Sequence, residues 1–458
     1  MSIAIETPTA PISEWKVVKG GLIVSIGLLT SQVLGFFRQA TIAYLLGTGP
    51  QADALAVAFA PVDLWWSVLS TAVVFGFGPL LAARRVSHTG PAFDDIWRPV
   101  VRVAFLIAAV FLFFAEVMVR LLAPGLPPAT AQLAAHLLRI TALAIPAMSS
   151  STLFTALLYS ERRFAFPAFQ QAAVNLGTMM TALLVYSLGG AQRSVFGFAA
   201  GYAGGAWLQL AGAFAISRPF LHCAPTSGRV KLWKLLSEPA PVLCYSMLIG
   251  LNPVVTRALA STHGPGATAA FDYCLKLLGV PLALLVIPLS SSLLTEIAPY
   301  RLRRDRREAL GAIGRAGAAI ALASSAIVLV MIAIGPWVVA FLFERGMFGA
   351  ASTSTVSALL AGFFPALAAW SVLDLISRSL FSLGRPRISV LAAALALGVN
   401  ALISLAVPFG SVRWIGLGAV IGFTAAALLL VGYLWGPAFL PLRWSSERDG
   451  TEPANPAA

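Results

Sequence analysis

The chain has 458 residues, of which 59% are hydrophobic and only 11% are charged. Soluble domains carry about 25% charged residues, so too few polar groups remain here to cover a water-facing surface, and lipid must be the solvent for most of the chain. The formal net charge of +13 would favour a nucleic-acid partner in a soluble protein. In a membrane protein, basic residues instead collect in cytoplasmic loops, and we expect no nucleic acid to bind.

The cysteines and histidines are few and scattered. Cys223, Cys244 and Cys274 show no regular spacing, and the four histidines are equally dispersed. We therefore expect no disulfide framework, no metal site and no cofactor. The polar segment from Met1 to Glu14 lacks the basic region, short apolar core and cleavage site of a signal peptide, so we expect no removable leader there.

Apolar segments long enough to cross a bilayer, about 20 residues each, recur along the whole chain. Several exceed that length and contain Pro or Gly, so tilt and kinks are expected. These segments predict an all-α polytopic membrane protein of about twelve transmembrane helices. The predicted spans are 18–46, 53–82, 99–122, 131–159, 165–188, 195–217, 239–261, 267–298, 310–335, 354–382, 388–408 and 414–437.

Basic residues are distributed unequally between the two sets of connections. The even-numbered connections and both tails hold 20 Lys and Arg residues, whereas the odd-numbered connections hold 3, namely Arg193, Arg345 and Arg413. Such a bias sets the orientation of a membrane protein. We predict a multi-pass protein of the bacterial cytoplasmic (inner) membrane with both termini in the cytoplasm.

Two features recur six helices apart. A Gly-Pro pair opens the second and the eighth span, and an arginine-rich turn precedes an asparagine-bearing helix in the fifth and the eleventh. The residues are Gly49-Pro50-Gln51-Ala52 and Gly264-Pro265-Gly266-Ala267 for the first feature, and Arg162-Arg163 with Asn175 and Arg385-Pro386-Arg387 with Asn400 for the second. Both features favour an internal repeat over a single undivided bundle.

The repeat predicts two six-helix lobes around a central cavity. Because a shift of six spans preserves orientation, the lobes should be related by an axis along the membrane normal. The predicted units are a cytoplasmic tail at 1–17, an N-lobe at 18–222, a cytoplasmic linker at 223–238, a C-lobe at 239–440 and a cytoplasmic tail at 441–458.

Ionisable side chains inside a span are costly and are therefore functional candidates. Arg38 lies deep in the first span near Gln32, with no acidic residue within two turns. Its partner must come from another helix or from a ligand. Asp53 begins the second span, and Asp63 follows about three turns later. Asp53 is equally well explained as an acidic residue at a helix N-terminus, where the macrodipole favours it.

Two acid–base pairs have the i, i+4 spacing that places both side chains on one helix face. They are Asp272 with Lys276 in the eighth span and Asp374 with Arg378 in the tenth. Each is either a self-neutralising pair or part of a cavity site. Arg378 at the inner interface, and Arg257 near the outer end of the seventh span, are also explained by snorkelling towards water.

A resemblance to a known family starts in the first span. Ser31-Gln32-Val33-Leu34-Gly35-Phe36-Phe37-Arg38 resembles the S-R-V-L-G-F-x-R signature of the bacterial lipid II flippase family (MurJ/MviN). That family belongs to the multidrug/oligosaccharidyl-lipid/polysaccharide exporter superfamily. Ala52-Asp53-Ala54-Leu55-Ala56-Val57-Ala58-Phe59 resembles its following D-A-F-x-V-A-F segment, and weaker similarity continues at 160–169 and 273–281. The similarity covers about twelve helices, and the family's last two have no counterpart.

The resemblance implies a cation-lined cavity that alternates between inward and outward access. The cations would meet the diphosphate of an undecaprenyl-linked sugar, while the lipid tail stays in a groove or in the bilayer. Arg38 and Asp53 match family cavity residues by position, and Lys276 replaces a family arginine. Gln32 and Trp65-Trp66 stand where the family has arginines, so we expect a less basic cavity.

The leading hypothesis is a flippase for a polyprenyl-diphosphate-linked saccharide. Arg38 and Lys276 would receive the diphosphate, Asp272 would hold Lys276 in the empty site, and Asp53 would do the same for Arg38. Besides the lipid substrate, we expect contacts with membrane lipids and with other cell-envelope biosynthesis proteins.

The alternative is a proton- or sodium-coupled exporter of small molecules from the same superfamily. Asp63 and Asp374 are its candidate coupling residues, with Asp53 and Asp272 as further carboxylates. An enzyme is disfavoured because the outer connections are short and hold almost no acidic residues. The sequence also contains no G-x-x-x-x-G-K-[ST] loop for a nucleotide.

The charge bias makes a direct topology prediction. Reporter fusions after Arg85, Arg163 and Arg387 should be active on the cytoplasmic side, as should fusions after Arg229 and Arg306. Fusions near Gly125 and Gly264 should be extracytoplasmic. Two adjacent fusions on the same side would overturn the predicted number of spans.

Overall fold

The computed structural model describes residues 14–73, 77–78, 80–81, 93–221, 239–286, 306–406 and 410–436. Within these ranges the chain consists of helices and turns, with no strand. The predicted linker 223–238, the tail 441–458, most of the tail 1–17 and many of the basic residues that predict the orientation lie outside the described residues.

The N-terminal half contains seven described helices of four residues or more. These are α1 (Glu14–Leu46), α2 (Pro50–Ala72), α3 (Phe93–Phe113), α4 (Ala115–Leu122), α5 (Pro128–Ala142), α6 (Ala144–Ser160) and α7 (Ala165–Ser217). Pairs of them form single predicted spans: α3 with α4 correspond to the third span, and α5 with α6 to the fourth.

The C-terminal half also contains seven described α-helices, with a π-helix of 5 residues, Leu282–Val286, after the second of them. They are α8 (Ala240–Ser261), α9 (Ala267–Pro281), α10 (Arg306–Phe343), α11 (Ala350–Phe363), α12 (Ala366–Ser382), α13 (Pro386–Ala406) and α14 (Leu417–Trp435). Helix α10 continues through Pro336 and ends beyond the predicted span 310–335. Helices α11 and α12 meet at a 47° bend and together form the tenth span.

Helix α7 is a hairpin of two helices rather than one continuous rod. A straight helix of 53 residues would be about 80 Å long, far more than the ~30 Å hydrocarbon core. The chain leaves helical geometry at Gly190, with φ 75° and ψ −177°, a conformation that favours glycine. The two arms then pack closely at glycines: a Cβ placed on Gly177 would lie 2.9 Å from the Cα of Gly205. The arms are the predicted fifth and sixth spans.

The predicted fold class is confirmed. Nine described helices or helix pairs are long and apolar enough to cross a membrane, and the bent α11–α12 pair makes ten. The break at Gly190 divides one of these into two. Helix α1 adds another, since Arg38 is the only charged residue between Gly20 and Leu46. Each of the twelve predicted segments therefore overlaps a described helix, while parts of the second, eighth and eleventh lie outside the described residues.

The two halves use the same helix packing. Helix α1 packs on α7 in the first half as α8 packs on α13 in the second. In each case an asparagine of the second helix, α7 or α13, donates to a backbone carbonyl of the first: Asn175 Nδ2 to Ser31 O and Asn400 Nδ2 to Asn252 O, both at 3.3 Å. This correspondence supports the predicted internal repeat, while the domain boundaries themselves stay predictions.

The close packing within α7 makes a stability prediction. In Gly201→Ala the new Cβ would lie 2.8 Å from the Cα of Thr178, so the arms must separate, at a cost of about 1–3 kcal/mol. The purified variant should therefore unfold at a lower temperature. Gly204→Ala is the matched control on the same arm, because no heavy atom lies within 4 Å of its new Cβ. Equal melting temperatures for the two variants would contradict the hairpin packing.

Candidate functional site

A cavity of about 430 Å³ lies between the two halves of the molecule. Helix α2 forms one wall, and α8, α9 and α12 form the others. Apolar side chains such as Leu64 and Trp370 make up most of its surface, and four charged side chains interrupt it. Those four are Asp63, Arg257, Asp374 and Arg378. Two of the seven predicted site residues, Asp63 and Asp374, therefore line the cavity.

Asp63 connects the cavity to Arg38. The hydroxyl of Tyr202 donates a 2.6 Å hydrogen bond to Asp63 Oδ1. The Arg38 guanidinium lies over the same tyrosine, with Cζ 5.9 Å from its ring centroid and 5.6 Å from that of Phe59. Aromatic faces stabilise cations at such distances. Arg38 Nε is buried and finds no hydrogen-bond partner among the described residues.

Asp272 pairs with Arg257 and not with Lys276. Arg257 Nε and Nη2 both donate to Asp272 Oδ1, the former at 3.1 Å. Arg257 is only 7% exposed, so its predicted snorkelling towards water is also wrong. The i, i+4 spacing allows contact between Asp272 and Lys276. The fork of an arginine on α8, which donates two N–H groups to one oxygen, takes the carboxylate instead.

Lys276 contacts the first span. Its Nζ lies 3.5 Å from Gln32 Oε1, and a Cβ placed on Gly35 would lie only 2.7 Å from the same Nζ. The absence of a side chain at Gly35 therefore makes room for the ammonium. Gln32 in turn lines a separate, almost wholly apolar groove of about 430 Å³ between α1, α9 and α10. The charge of Lys276 is also within electrostatic range of Arg38 and Asp63.

Asp53 holds the two halves together. It is 1% exposed, lies in the first turn of α2, and accepts hydrogen bonds from the backbone N–H groups of Gly266 at 2.6 Å and Ala269 at 2.8 Å. It thus caps the N-terminus of α9, where the helix dipole favours an anion. The expectation that Asp53 holds Arg38 is wrong, because its oxygens are occupied by another helix.

Neighbouring contacts close the same end of the molecule. Thr48 Oγ1 and Ser352 Oγ are 2.7 Å apart, the Tyr273 hydroxyl donates to Gly47 O at 2.7 Å, and Met347 N donates to Tyr44 O at 2.9 Å. Each contact joins the two halves. We call this set of contacts, together with the hydrogen bonds of Asp53, the Asp53 closure.

Asp374 and Arg378 form the self-neutralising pair that their spacing predicts. Arg378 Nε donates to Asp374 Oδ2 at 2.7 Å, and the side chains of Arg378 and Asp374 are 27% and 16% exposed, respectively. Both also line the cavity, so the pair is self-neutralising and is also part of the cavity.

The charged groups in and around the cavity nearly balance. Four cations, Arg38, Arg257, Lys276 and Arg378, stand against three carboxylates, Asp63, Asp272 and Asp374, which leaves a formal excess of one positive charge. Sequence reasoning gave Arg257 and Arg378 structural explanations, although their position inside a span was the signal that could have identified them. At the position of the missing arginine pair, Trp65 Nε1 donates to Ser149 Oγ at 2.9 Å.

Two helical bundles that enclose a charged cavity define a membrane transporter, and comparison with known proteins specifies the family. The family model of the lipid II flippase MurJ matches residues 42–436. The chain therefore belongs to the lipid II flippase MurJ family.

Individual relatives and solved structures agree with this assignment. A probable lipid II flippase MurJ of Rhizobium tropici is 26% identical over 94% of this chain and 83% of its own length. A second, from Rhizobium meliloti (strain 1021), is 24% identical over 89% and 78%. Among solved structures, a lipid II flippase MurJ in an inward closed conformation has a TM-score of 0.76 at 19% identity, over 90% of this chain and 87% of its own.

The same fold occurs in a multidrug exporter. An inward-facing multidrug resistance MATE family transporter of the MOP superfamily matches with a TM-score of 0.71 at 15% identity, over 91% of this chain and 98% of its own. At these identities the structural matches establish the shared fold.

The Asp53 closure can be tested by cross-linking. With the native cysteines removed, Thr48→Cys and Ser352→Cys should form a disulfide readily. Asp53→Ala removes two charge-assisted hydrogen bonds, each worth about 1.5–3 kcal/mol, and should slow cross-linking by at least about tenfold. Asp94→Ala, at an exposed carboxylate, should leave the rate unchanged. Unaltered cross-linking in Asp53→Ala would show that closure does not depend on this residue.

Proposed function

We propose that the chain moves a polyprenyl-diphosphate-linked saccharide, such as lipid II or a related lipid-linked glycan, from the cytoplasmic to the outer leaflet by alternating access. Family membership supports transport of a lipid-linked sugar. The observation that carries the proposal is a cluster of three cations from three different spans beside Asp63, because a diphosphate is the part of such a substrate that needs positive charge. Arg257 lines the cavity, Arg38 lies over Tyr202, which binds the cavity residue Asp63, and Lys276 is within electrostatic range of Arg38 and Asp63.

The cavity would lower the barrier to flipping without covalent chemistry. A charged headgroup in hydrocarbon costs several kcal/mol by insertion scales, whereas a cavity with cationic side chains and room for water offers a polar path. The hydrocarbon chain needs no such path and remains in lipid or along the apolar groove beside Gln32. Arginines suit the diphosphate as planar forks, and Lys276 contributes a point charge.

The Asp53 closure supplies one gate of the proposed cycle. If both termini are cytoplasmic, this gate lies at the outer side, and the cavity is reached from the cytoplasm while it is shut. Outward release then requires that Gly266 and Ala269 leave Asp53 and that the other contacts of the closure separate with them. Alternating access thus has a specific set of bonds to break.

The exporter remains a second candidate because of two observations. The MATE fold matches over nearly the whole chain, and Asp63 is an exposed carboxylate inside the cavity. A proton- or sodium-coupled exporter would use Asp63 or Asp374 as the coupling group. Efflux of a small cation from vesicles under an ion gradient supports this candidate, whereas leaflet-specific labelling of lipid-linked sugar supports the flippase.

Substitution of the two cations predicted from the sequence tests the mechanism. Arg38→Ala and Lys276→Ala should abolish outer-leaflet labelling of the lipid-linked sugar at equal protein abundance. Arg38→Lys should keep part of the activity, since it retains the charge without the fork. Charge reversal at both positions should not restore flipping, because their partner is the ligand.

The matched control is Arg98→Ala. Arg98 forms an exposed i, i+4 pair with Asp94, and such surface pairs contribute little to stability. If Arg38→Ala and Lys276→Ala both flip the lipid-linked sugar at the wild-type rate, the anionic-lipid mechanism is excluded and the exporter is favoured. Native mass spectrometry of the purified protein would identify the bound lipid and its glycan.

A further inference from the structure

We propose that Arg378 is a separate docking station for an anionic headgroup, at the opposite end of the cavity from the cluster of Arg38, Arg257 and Lys276. An anion would then cross the cavity in two steps. This inference rests on the proposed function and names a binding residue that the resemblance to the family does not supply.

The position of Arg378 carries the first step of the argument. It lines the cavity together with Tyr245 and Phe381, whose ring centroids are 5.2 Å apart. On α8, Tyr245 and Arg257 are 12 residues apart, which corresponds to a rise of about 18 Å. That rise exceeds half of the ~30 Å hydrocarbon thickness. Because Tyr245 contacts Phe381, one turn from Arg378, Arg378 lies towards the Tyr245 end of the cavity and Arg257 towards the other end, which gives an anion two successive positions.

Contacts between α2 and α8 fix the same order along the cavity. Thr71 and Ser246 hydroxyls meet at 2.9 Å near the Arg378 end. Further along, a Cβ on Gly250 would lie against Leu64, next to Asp63, whose partner Tyr202 lies beneath Arg38. The antiparallel helices therefore run from one station to the other with the cavity between them.

The guanidinium of Arg378 has unused binding capacity. Within the described part of the chain only its Nε donates a hydrogen bond, to Asp374, so four of its five N–H groups remain available. Its side chain is 27% exposed and faces a cavity. An arginine needed only to neutralise Asp374 would not require that access.

Asp374 moderates the affinity of Arg378 for an anion. It removes the net charge of the empty site, which lowers the cost of placing Arg378 within the membrane. It also competes with an arriving anion, and a transport path requires sites weak enough to release what they bind. Removal of this carboxylate should therefore tighten binding and slow transport together.

Cysteine protection can observe the two stations separately. In the full chain without native cysteines, Ser246→Cys reports on the Arg378 end and Val254→Cys on the Arg257 end; both side chains line the cavity from α8. Inorganic pyrophosphate, followed by farnesyl diphosphate, should slow maleimide labelling at both. Added Arg378→Ala should abolish protection at Ser246→Cys and leave that at Val254→Cys.

Two further variants separate binding from a structural role. Asp374→Asn should raise the affinity at the Ser246→Cys reporter about tenfold and reduce flipping. The swapped pair Asp374→Arg/Arg378→Asp keeps the ion pair but moves the cation by one turn, and should recover stability without recovering protection. The equivalent swap at Asp94 and Arg98, which have the same spacing on an exposed surface, should change neither binding nor flipping.

The outcomes distinguish this inference from the function on which it rests. Restored protection and flipping in the swapped pair, or full protection at Ser246→Cys in Arg378→Ala, would overturn the station. Protection at Val254→Cys alone in the parent protein would also overturn it and leave the proposed flippase intact. If the ligand protects neither Ser246→Cys nor Val254→Cys in the parent protein, both the Arg378 station and the proposed flippase function are overturned.

Discussion

The cost of a charge in a low-dielectric environment governs how this molecule is assembled. Each carboxylate near the cavity is satisfied by a donor from elsewhere in the fold or one turn away on its own helix. Asp63 accepts from Tyr202, Asp272 from Arg257 and Asp374 from Arg378. Two of these bonds cross between helices. Apolar side chains alone would leave the spans free to rotate, because lipid competes equally well for apolar surface. The crossing hydrogen bonds therefore set how the spans are oriented.

The same constraint explains why a near-neutral cavity can serve an anion. A buried pair contributes little net stability once desolvation is counted, but a partner left alone is costly, so the proposed diphosphate is best received by cations that have no carboxylate partner. The excess positive charge resides at Arg38 and Lys276, which rest on aromatic rings and an amide instead of carboxylates. Because neither cation has a carboxylate partner in the described part of the chain, binding an anion at Arg38 or Lys276 breaks no ion pair.

The sequence predicted the helices well, because hydropathy and Gly-Pro breaks are local signals, and the matching hydrogen bonds of Asn175 and Asn400 support its predicted repeat. It predicted charge pairing only where partners share a helix and no competitor exists, as for Asp374 and Arg378. Asp272 has the same spacing to Lys276, yet Arg257 takes it, because spacing along one helix carries no information about which neighbouring helix packs against that face. Asp53 shows the same limit: its partners are backbone N–H groups, which have no sequence signature.

Helix α9 connects the closure to the cation cluster. Its first turn supplies Ala269 N to Asp53, the next turn carries Asp272, and the following turn carries Lys276. These positions lie within one short helix. A displacement of α9 that moves Lys276 towards a ligand, or separates Asp272 from Arg257, therefore also shifts the N–H groups that donate to Asp53. A ligand bound at the cluster and the bonds that shut the far end of the molecule therefore act on the same helix. Occupancy of the cavity can in this way bias the gate without any contact between the ligand and Asp53.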